Sequence, residues 1–195
     1  MKVLLVHCHP SPDSFAAAAR DSALAGLHAG GHDVRVRDLY AENFRPELSA
    51  WERTNQFAPV EHKPDIISHA EDLRWCESLV LVYPTWYSSQ PAMLKGWFDR
   101  VWVPGVAYDL PEGANRIAPR LRNIRRLVVV TTHGSSKSLN MLQGEGGKRV
   151  VFRGLRLLCH PMARSTWLAL YGIDRVDAVG RAAFLGRVEK RLRKL

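Results

Sequence analysis

Apolar residues along the chain recur in two patterns, short unbroken runs and runs spaced at helical period. The unbroken runs at Lys2–His7, Leu79–Tyr83 and Leu127–Thr131 predict strands buried on both faces. Val34 and Val36 alternate with Asp33, Arg35, Arg37 and Asp38, which predicts a half-exposed or edge strand. A fifth strand is placed around Arg164–Ala169. Helical segments fall between these strands. An alanine-rich one runs from about Ser14 to Ala29 and is closed by Gly30–Gly31. A second covers Asp65–Cys76. After Pro91, which the first turn of a helix tolerates, Leu94, Trp97, Phe98, Val101 and Trp102 repeat at i, i+3, i+4, i+7 and i+8. A further helix is expected over roughly Gly147–Leu158. The last has Asp174 as N-cap, Asp177 in its first turn, and an apolar face of Val176, Val179, Ala183, Phe184, Val188 and Leu192.

Five strands alternating with helices predict a single α/β domain over residues 1–195, a doubly wound parallel sheet. The long connection from the second strand to the third suits the order 2-1-3-4-5, whose switch point lies between strands 1 and 3. The loops after those strands, His9–Phe15 and Pro84–Gln90, are then neighbours and form one site. The segment Leu39–Lys63 has few regular signals but carries Tyr40, Phe44, Trp51 and Phe57. A connection of that length is usually a lid or an interface.

The chemistry of the two loops differs. Pro84 stops the third strand, because it has no N–H for the ladder. Trp86 and Tyr87 then offer flat faces, and Ser88, Ser89 and Gln90 offer hydrogen bonds. A planar ring with a polar edge, such as a flavin, suits that set; a loop whose aromatics pack on their own fold is the alternative. The first loop leads into a helix whose N-terminal N–H groups favour an anion. Ser11, Ser14 and His9 add donors, so this loop is expected to hold phosphate, an ordinary capped helix being the plainer account.

Tyr83-Pro84-Thr85-Trp86-Tyr87, with Pro91-Ala92-Met93-Leu94-Lys95-Gly96-Trp97-Phe98-Asp99-Arg100-Val101 and Ala107-Tyr108, resembles the signature of the flavodoxin-like NAD(P)H:quinone reductases. That family also includes oxidoreductase subunits of bacterial potassium-efflux systems. The resemblance extends from Lys2 to about Asp174. It implies a flavodoxin-like five-stranded sheet and a flavin-dependent NAD(P)H oxidoreductase that reduces quinones or similar electrophiles in a two-electron, ping-pong sequence through flavin N5. It marks His9, Ser14 and Phe15 as flavin-contacting, with Ala16 where many relatives have Asn. It places the flavin ring on Pro84, Thr85, Trp86, Tyr87 and Ser88. Thr131-Thr132-His133-Gly134 resembles the Thr-Thr-Gly-Gly turn at the flavin's pyrimidine edge, with His133 in place of the first glycine. Asp38–Pro46 is more similar to the FAD-using members than to the shorter FMN ones, so FAD is favoured over FMN. The resemblance further implies a homodimer with each site at the interface, for which Trp51, Phe57 and Trp102 are candidate contacts. The alternative within the family is a redox-responsive regulatory subunit with little turnover.

Composition changes this picture little. The chain has 195 residues, 46% of them hydrophobic, enough for a sizeable core. No apolar run reaches the length of a membrane span, and the N-terminus lacks the cleavage site of a signal peptide, so a cytoplasmic protein without membrane insertion is expected. Cys8, Cys76 and Cys159 make no CxxC pair and read as reduced thiols. His7-Cys8-His9 does not read as a metal site, because successive strand residues point to opposite faces. The formal net charge of +9 raises the question of nucleic acid. Its arginines, however, sit in Arg116–Arg126 and in the last helix without a recognised nucleic-acid module, and a solvated face accounts for them. No G-x-S-x-G elbow is present, which argues against an α/β hydrolase.

Reducing a quinone needs protons as well as hydride. The resembling reductases carry a Tyr and a His just after the Thr-Thr-Gly-Gly turn, and this chain has Leu139 and Glu145 or Gly146 there. His133 is the nearest ionisable substitute, expected to stabilise the flavin's N1–O2 edge or to relay a proton, with Glu145 a weaker candidate. The competing expectation is a His133 that faces solvent beside backbone N–H groups that carry the charge alone. His133 and Tyr87 are the candidate catalytic residues.

Overall fold

The computed structural model describes residues 1–113 and 115–195. In chain order the elements are β1 (Lys2–His7), α1 (Phe15–Ala29), β2 (Asp33–Asp38), α2 (Ala50–Thr54), α3 (Ile67–Trp75), β3 (Ser78–Pro84), α4 (Ala92–Val101), a small antiparallel ladder of β4 (Tyr108–Asp109) and β5 (Ala118–Pro119), β6 (Arg126–His133), α5 (Lys137–Leu142), α6 (Gly146–Arg149), β7 (Arg164–Tyr171) and α7 (Ala178–Arg193). The main sheet is parallel throughout, in the order β2-β1-β3-β6-β7. Counted within that sheet alone, this is the order 2-1-3-4-5.

Strand alternation divides the core into two layers. Val3, Leu5, Val80, Val82, Val128 and Val130 face α1 and α7, where Ala23, Leu27, Phe184 and Val188 meet them. Leu4, Val6, Leu79, Leu81, Leu127 and Val129 face the other way, onto Leu73, Leu94, Trp97 and Val151. Every residue of β3 is buried, because it is the central strand of the sheet and both of its faces are covered. β2 lies at the edge, and its Arg35 and Arg37 both reach the buried carboxylate of Asp72 on α3, at 2.8 and 2.6 Å.

Small residues bring two helices close. The alanines of α1 carry little side chain, and at Gly26 an added Cβ would collide with the Glu189 backbone of α7. Across the sheet, a Cβ on Gly96 of α4 would collide with Pro46. Arg100, also on α4, donates to Glu52 at 2.8 Å and to the Arg45 carbonyl. These contacts fasten the long connection after β2 onto α4. That connection is more ordered than its sequence suggests. A capping box of Ser49 and Glu52 opens α2, and Val60–His62 forms a 3-10 turn.

Several sequence expectations shift here. Pro84 is the last residue of β3, opposite Thr132, and the strand ends by handing its ladder to Thr85, whose N–H reaches the Thr132 carbonyl at 2.8 Å. Asp177, and not Asp174, caps α7, accepting from Gly180 N–H at 2.8 Å; Asp174 sits in the preceding 3-10 turn. On α7 only Phe184, Val188 and Leu192 are buried, while Val179 is exposed, so the apolar face is narrower than the spacing suggests. The helix over 147–158 is wound at three pitches: α6, a π turn over Val150–Gly154 and a 3-10 turn over Leu155–Leu158. Trp102 is buried among Trp97 and Phe98, which removes it from the candidate interface residues, whereas Trp51 and Phe57 are exposed.

Cys8, Cys76 and Cys159 are all buried free thiols, and burial pushes each up to about 12. No helix among the described residues is long and apolar enough to cross a membrane.

Candidate functional site

The carboxyl ends of β1, β3 and β6, neighbouring strands of the sheet, release their loops on one side of the fold. The first loop closes as a helix start. Ser14 caps α1 by accepting from Ala17 N–H at 3.1 Å. The remaining first-turn N–H groups have no partner within the helix and carry its positive end. His9 is held by Ser11, whose N–H lies 3.0 Å from its Nδ1. Nδ1 also lies 3.1 Å from the Ser11 carbonyl, so both backbone groups of Ser11 hold the ring at that nitrogen. Phe15 is half-buried against Phe184, with ring centroids 6.1 Å apart. Ala16 is buried and offers no polar group.

The second loop is a tight two-residue turn. Trp86 and Ser89 exchange both backbone hydrogen bonds, at 3.1 and 3.0 Å. Tyr87 and Ser88 between them have φ of 46° and 61°. Two consecutive left-handed residues make a type I′ turn, a conformation that favours Asn and Gly and strains other residues. The turn pushes Tyr87 fully into solvent and leaves Trp86 partly exposed. It is braced from below: Ser88 Oγ donates to Gln143 at 2.7 Å, Gly147 N–H donates to the Ser88 carbonyl at 3.1 Å, and Gln90 donates to the Gly147 carbonyl at 2.7 Å. A Cβ on Gly146 would lie 3.2 Å from the Ser88 carbonyl, so a side chain there would require the turn to give by a few tenths of an ångström.

The third loop turns inward. His133 is 6% exposed. Its ring stacks on Tyr171 of β7, centroids 4.5 Å apart and planes 18° from parallel. Nδ1 lies 2.7 Å from Asn140 Oδ1, and Nε2 lies 3.4 Å from Thr85 Oγ1. Thr85 Oγ1 is in turn 3.0 Å from Thr131 Oγ1. Burial lowers the His133 pKa, partly opposed by the Asn140 hydrogen bond and the charge of Glu145. The imidazole is therefore neutral at neutral pH. A His133 facing solvent is not what the fold provides.

Together Thr85, Tyr87, Ser88, His133, Gly134, Ser135, Asn140 and Gln143 line an open hollow of about 250 Å³. Its edge presents an imidazole acceptor, hydroxyls that can act either way and a carboxamide. That mixed set fits the pyrimidine edge of a flavin, which alternates acceptors with an N–H donor. His9 and Ser14 lie on the Trp86 side, with the His9 and Trp86 rings 6.1 Å apart. Thr132 joins only through its backbone. Tyr87 does not join the His133 network; its side chain stands clear of it. Leu139 is exposed, and Glu145 is tied to Lys148 at 2.9 Å, so neither reproduces a Tyr/His pair.

A second hollow of about 290 Å³ lies away from these loops, between Arg45, Trp51, Lys63 and Arg100. Arg100 there already pairs with Glu52 and Asp65. Asn140, Gln143 and Tyr171 were not signalled by the sequence. α5 has six residues, too few for a helical period to emerge. Its one sequence mark is Ser136 as N-cap.

A family model described as a flavodoxin-like fold matches residues 1–179. NAD(P)H dehydrogenase (quinone) 1 of Rattus norvegicus is 33% identical over 162 residues, which cover 75% of this chain and 58% of that protein. The solved NAD(P)H:quinone oxidoreductase of Methanothermobacter marburgensis superposes with a TM-score of 0.81 at 32% identity, covering 100% of this chain and 95% of that one. A solved protein of Streptococcus mutans gives 0.85 at 26% identity, over the whole of both chains. The chain spans 49%, 58% and 65% of the length of three curated relatives it matches.

Proposed function

This chain belongs to the flavodoxin-like family, and from that premise we propose that it is a flavin-dependent NAD(P)H oxidoreductase reducing quinones or similar electrophiles. The observation that carries the reading is the meeting of three strand-end loops beside the N-terminus of α1. A flavin bound there supplies two-electron hydride chemistry. His9 and the first-turn N–H groups of α1 would hold its phosphate, with Ser14 and Phe15 alongside. Pro84, Thr85, Trp86, Tyr87 and Ser88 would form the platform for the ring. Thr131, Thr132, His133 and Gly134 would border its polar edge. FAD is favoured over FMN on the likeness of Asp38–Pro46 to FAD-using reductases. Nicotinamide and quinone would take turns over the Trp86–Ser89 turn, in a ping-pong order at one shared face. A homodimer closing the site, with the exposed Trp51 and Phe57 among its contacts, and residence in the cytoplasm complete the reading.

The test is direct. The purified protein is expected to be yellow, and its released cofactor to run with FAD. A colourless protein that takes up neither FAD nor FMN overturns the proposal. Parallel lines in initial-rate plots of NAD(P)H against quinone check the reaction order.

A further inference from the structure

Asn140 is 3% exposed, and its amide has one orientation that satisfies it. Nδ2 lies 2.8 Å from the Ser136 carbonyl, 3.0 Å from Ser135 Oγ and 3.4 Å from the Ser135 carbonyl. Flipping the amide would aim its oxygen at two carbonyls, which cannot donate. Oδ1 is therefore the atom 2.7 Å from His133 Nδ1, and that nitrogen must carry the proton. The other nitrogen, Nε2, is left with a lone pair, and it is the one turned toward Thr85 and the hollow.

We infer that Asn140 is a positioning residue that fixes His133 as the Nδ1–H tautomer, so that Nε2 receives and returns the proton of quinone reduction. The inference rests on the proposed flavin function and specifies how that site handles its proton. It also reverses the simplest role for His133. A neutral imidazole with a bare Nε2 cannot donate to an anionic flavin edge; it first accepts.

The balance is simple. NAD(P)H is oxidised and gives up a hydride, two electrons with one proton. A quinone reduced to a hydroquinone takes that hydride and one further proton. Nε2 takes the further proton from solvent, the H⁺ that the overall reaction consumes, as negative charge enters the hollow, and the ring becomes imidazolium with Nδ1–H still bonded to Asn140. Nε2–H then breaks as the proton passes to the quinone oxygen, and the ring returns to its neutral tautomer. Thr85 Oγ1, between Nε2 and Thr131 Oγ1, can carry that hydrogen bond.

The surroundings permit the cycle. Glu145, held by Lys148, raises the proton affinity of His133 from the α6 side. From the β7 side Tyr171 stacks on the ring, with its hydroxyl 3.3 Å from Trp167 Nε1. Asp174 follows β7 and places its carboxylate beside Gly134. Tyr87 faces the hollow's rim. In the oxidised resting state burial keeps the ring neutral. New negative charge in the hollow adds to that of Glu145 and draws the proton in.

The tautomer is read by NMR on protein labelled with 15N at histidine, without cofactor. Wild type should show Nδ1–H with Nε2 bare. Asn140→Leu should move the proton to Nε2, since the bond made by the other nitrogen sets the tautomer. The cycle is read on flavin-loaded protein from the pH slope of the midpoint potential. Wild type should take up one proton more per two electrons than His133→Asn and Asn140→Leu. Nε2 found protonated in wild type, or equal proton counts in wild type and His133→Asn, overturns this assignment alone. A protein that binds no flavin overturns the proposed function and this assignment with it.

Discussion

The rings of His9 and Trp86, from the loops after two adjacent strands, stand 6.1 Å apart with their planes at 59°. The two loops therefore form one wall, with His9 held at Nδ1 by the backbone of Ser11.

His9→Ala removes the ring proposed to donate to the phosphate and leaves the Ser14 cap of α1 intact. A hydrogen bond to a charged phosphate contributes about 1.5–3 kcal/mol, so flavin affinity should fall roughly ten- to hundredfold. Fluorescence titration of cofactor-free protein checks this. Unchanged affinity would take the phosphate away from His9.

The Trp86–Ser89 turn holds two L-residues in left-handed backbone. Replacing them by Tyr87→Asn with Ser88→Gly supplies the pair a type I′ turn favours. Relief of about 1–2 kcal/mol at each position, less the unfolded-state entropy of glycine, should leave the variant about 1 kcal/mol more stable in urea. The same variant should bind flavin more weakly. A gain in both stability and affinity would show that Tyr87 and Ser88 are not part of the platform.

Gly26→Ala gives opposite signs for two effects. Helix propensity alone predicts a gain of about 1 kcal/mol. The Cβ would press on the Glu189 backbone of α7, and overpacking of this kind costs about 1–3 kcal/mol. Net destabilisation in urea is expected, with α7 losing amide protection first in hydrogen exchange.

His7 and His69 are buried, and burial lowers both from 6.5 to about 4. The unfolded chain binds more protons than the folded one between those values. Their contribution to stability is thus complete above about pH 6.5 and is lost as pH falls toward 4, at up to about 1.4 kcal/mol per pH unit for each. Urea midpoints at a series of pH values should show this slope. His69→Gln should remove about half of it.

The fold was legible because the unbroken runs at Val3–Val6, Leu79–Tyr83 and Leu127–Val130 belong to the three inner strands, where burial on both faces erases alternation. The Pro84–Gln90 and His9–Phe15 loops could be joined from strand order alone. Less legible were the parts fixed by contacts between distant segments. The direction of the His133 side chain depends on Asn140 and Tyr171, and no local pattern encodes that stack. Trp102 continued the stripe of α4, and its burial followed from that same period. Asp174 and Asp177 are both plausible caps in sequence; the 3-10 turn at Ile173–Arg175 decides between them by starting the helix later.

The buried cysteines have a consequence for anyone handling the protein. Quinones are soft electrophiles that arylate thiolates, and so are the maleimides used to attach probes. Cys8, Cys76 and Cys159 are out of contact with solvent and held protonated. The folded chain thus offers such compounds no native thiol. A cysteine introduced on the surface, at Leu142 for instance, would be the single labelling position on the folded chain. A dye or spin label there would report on the rim of the hollow without stripping any native thiol.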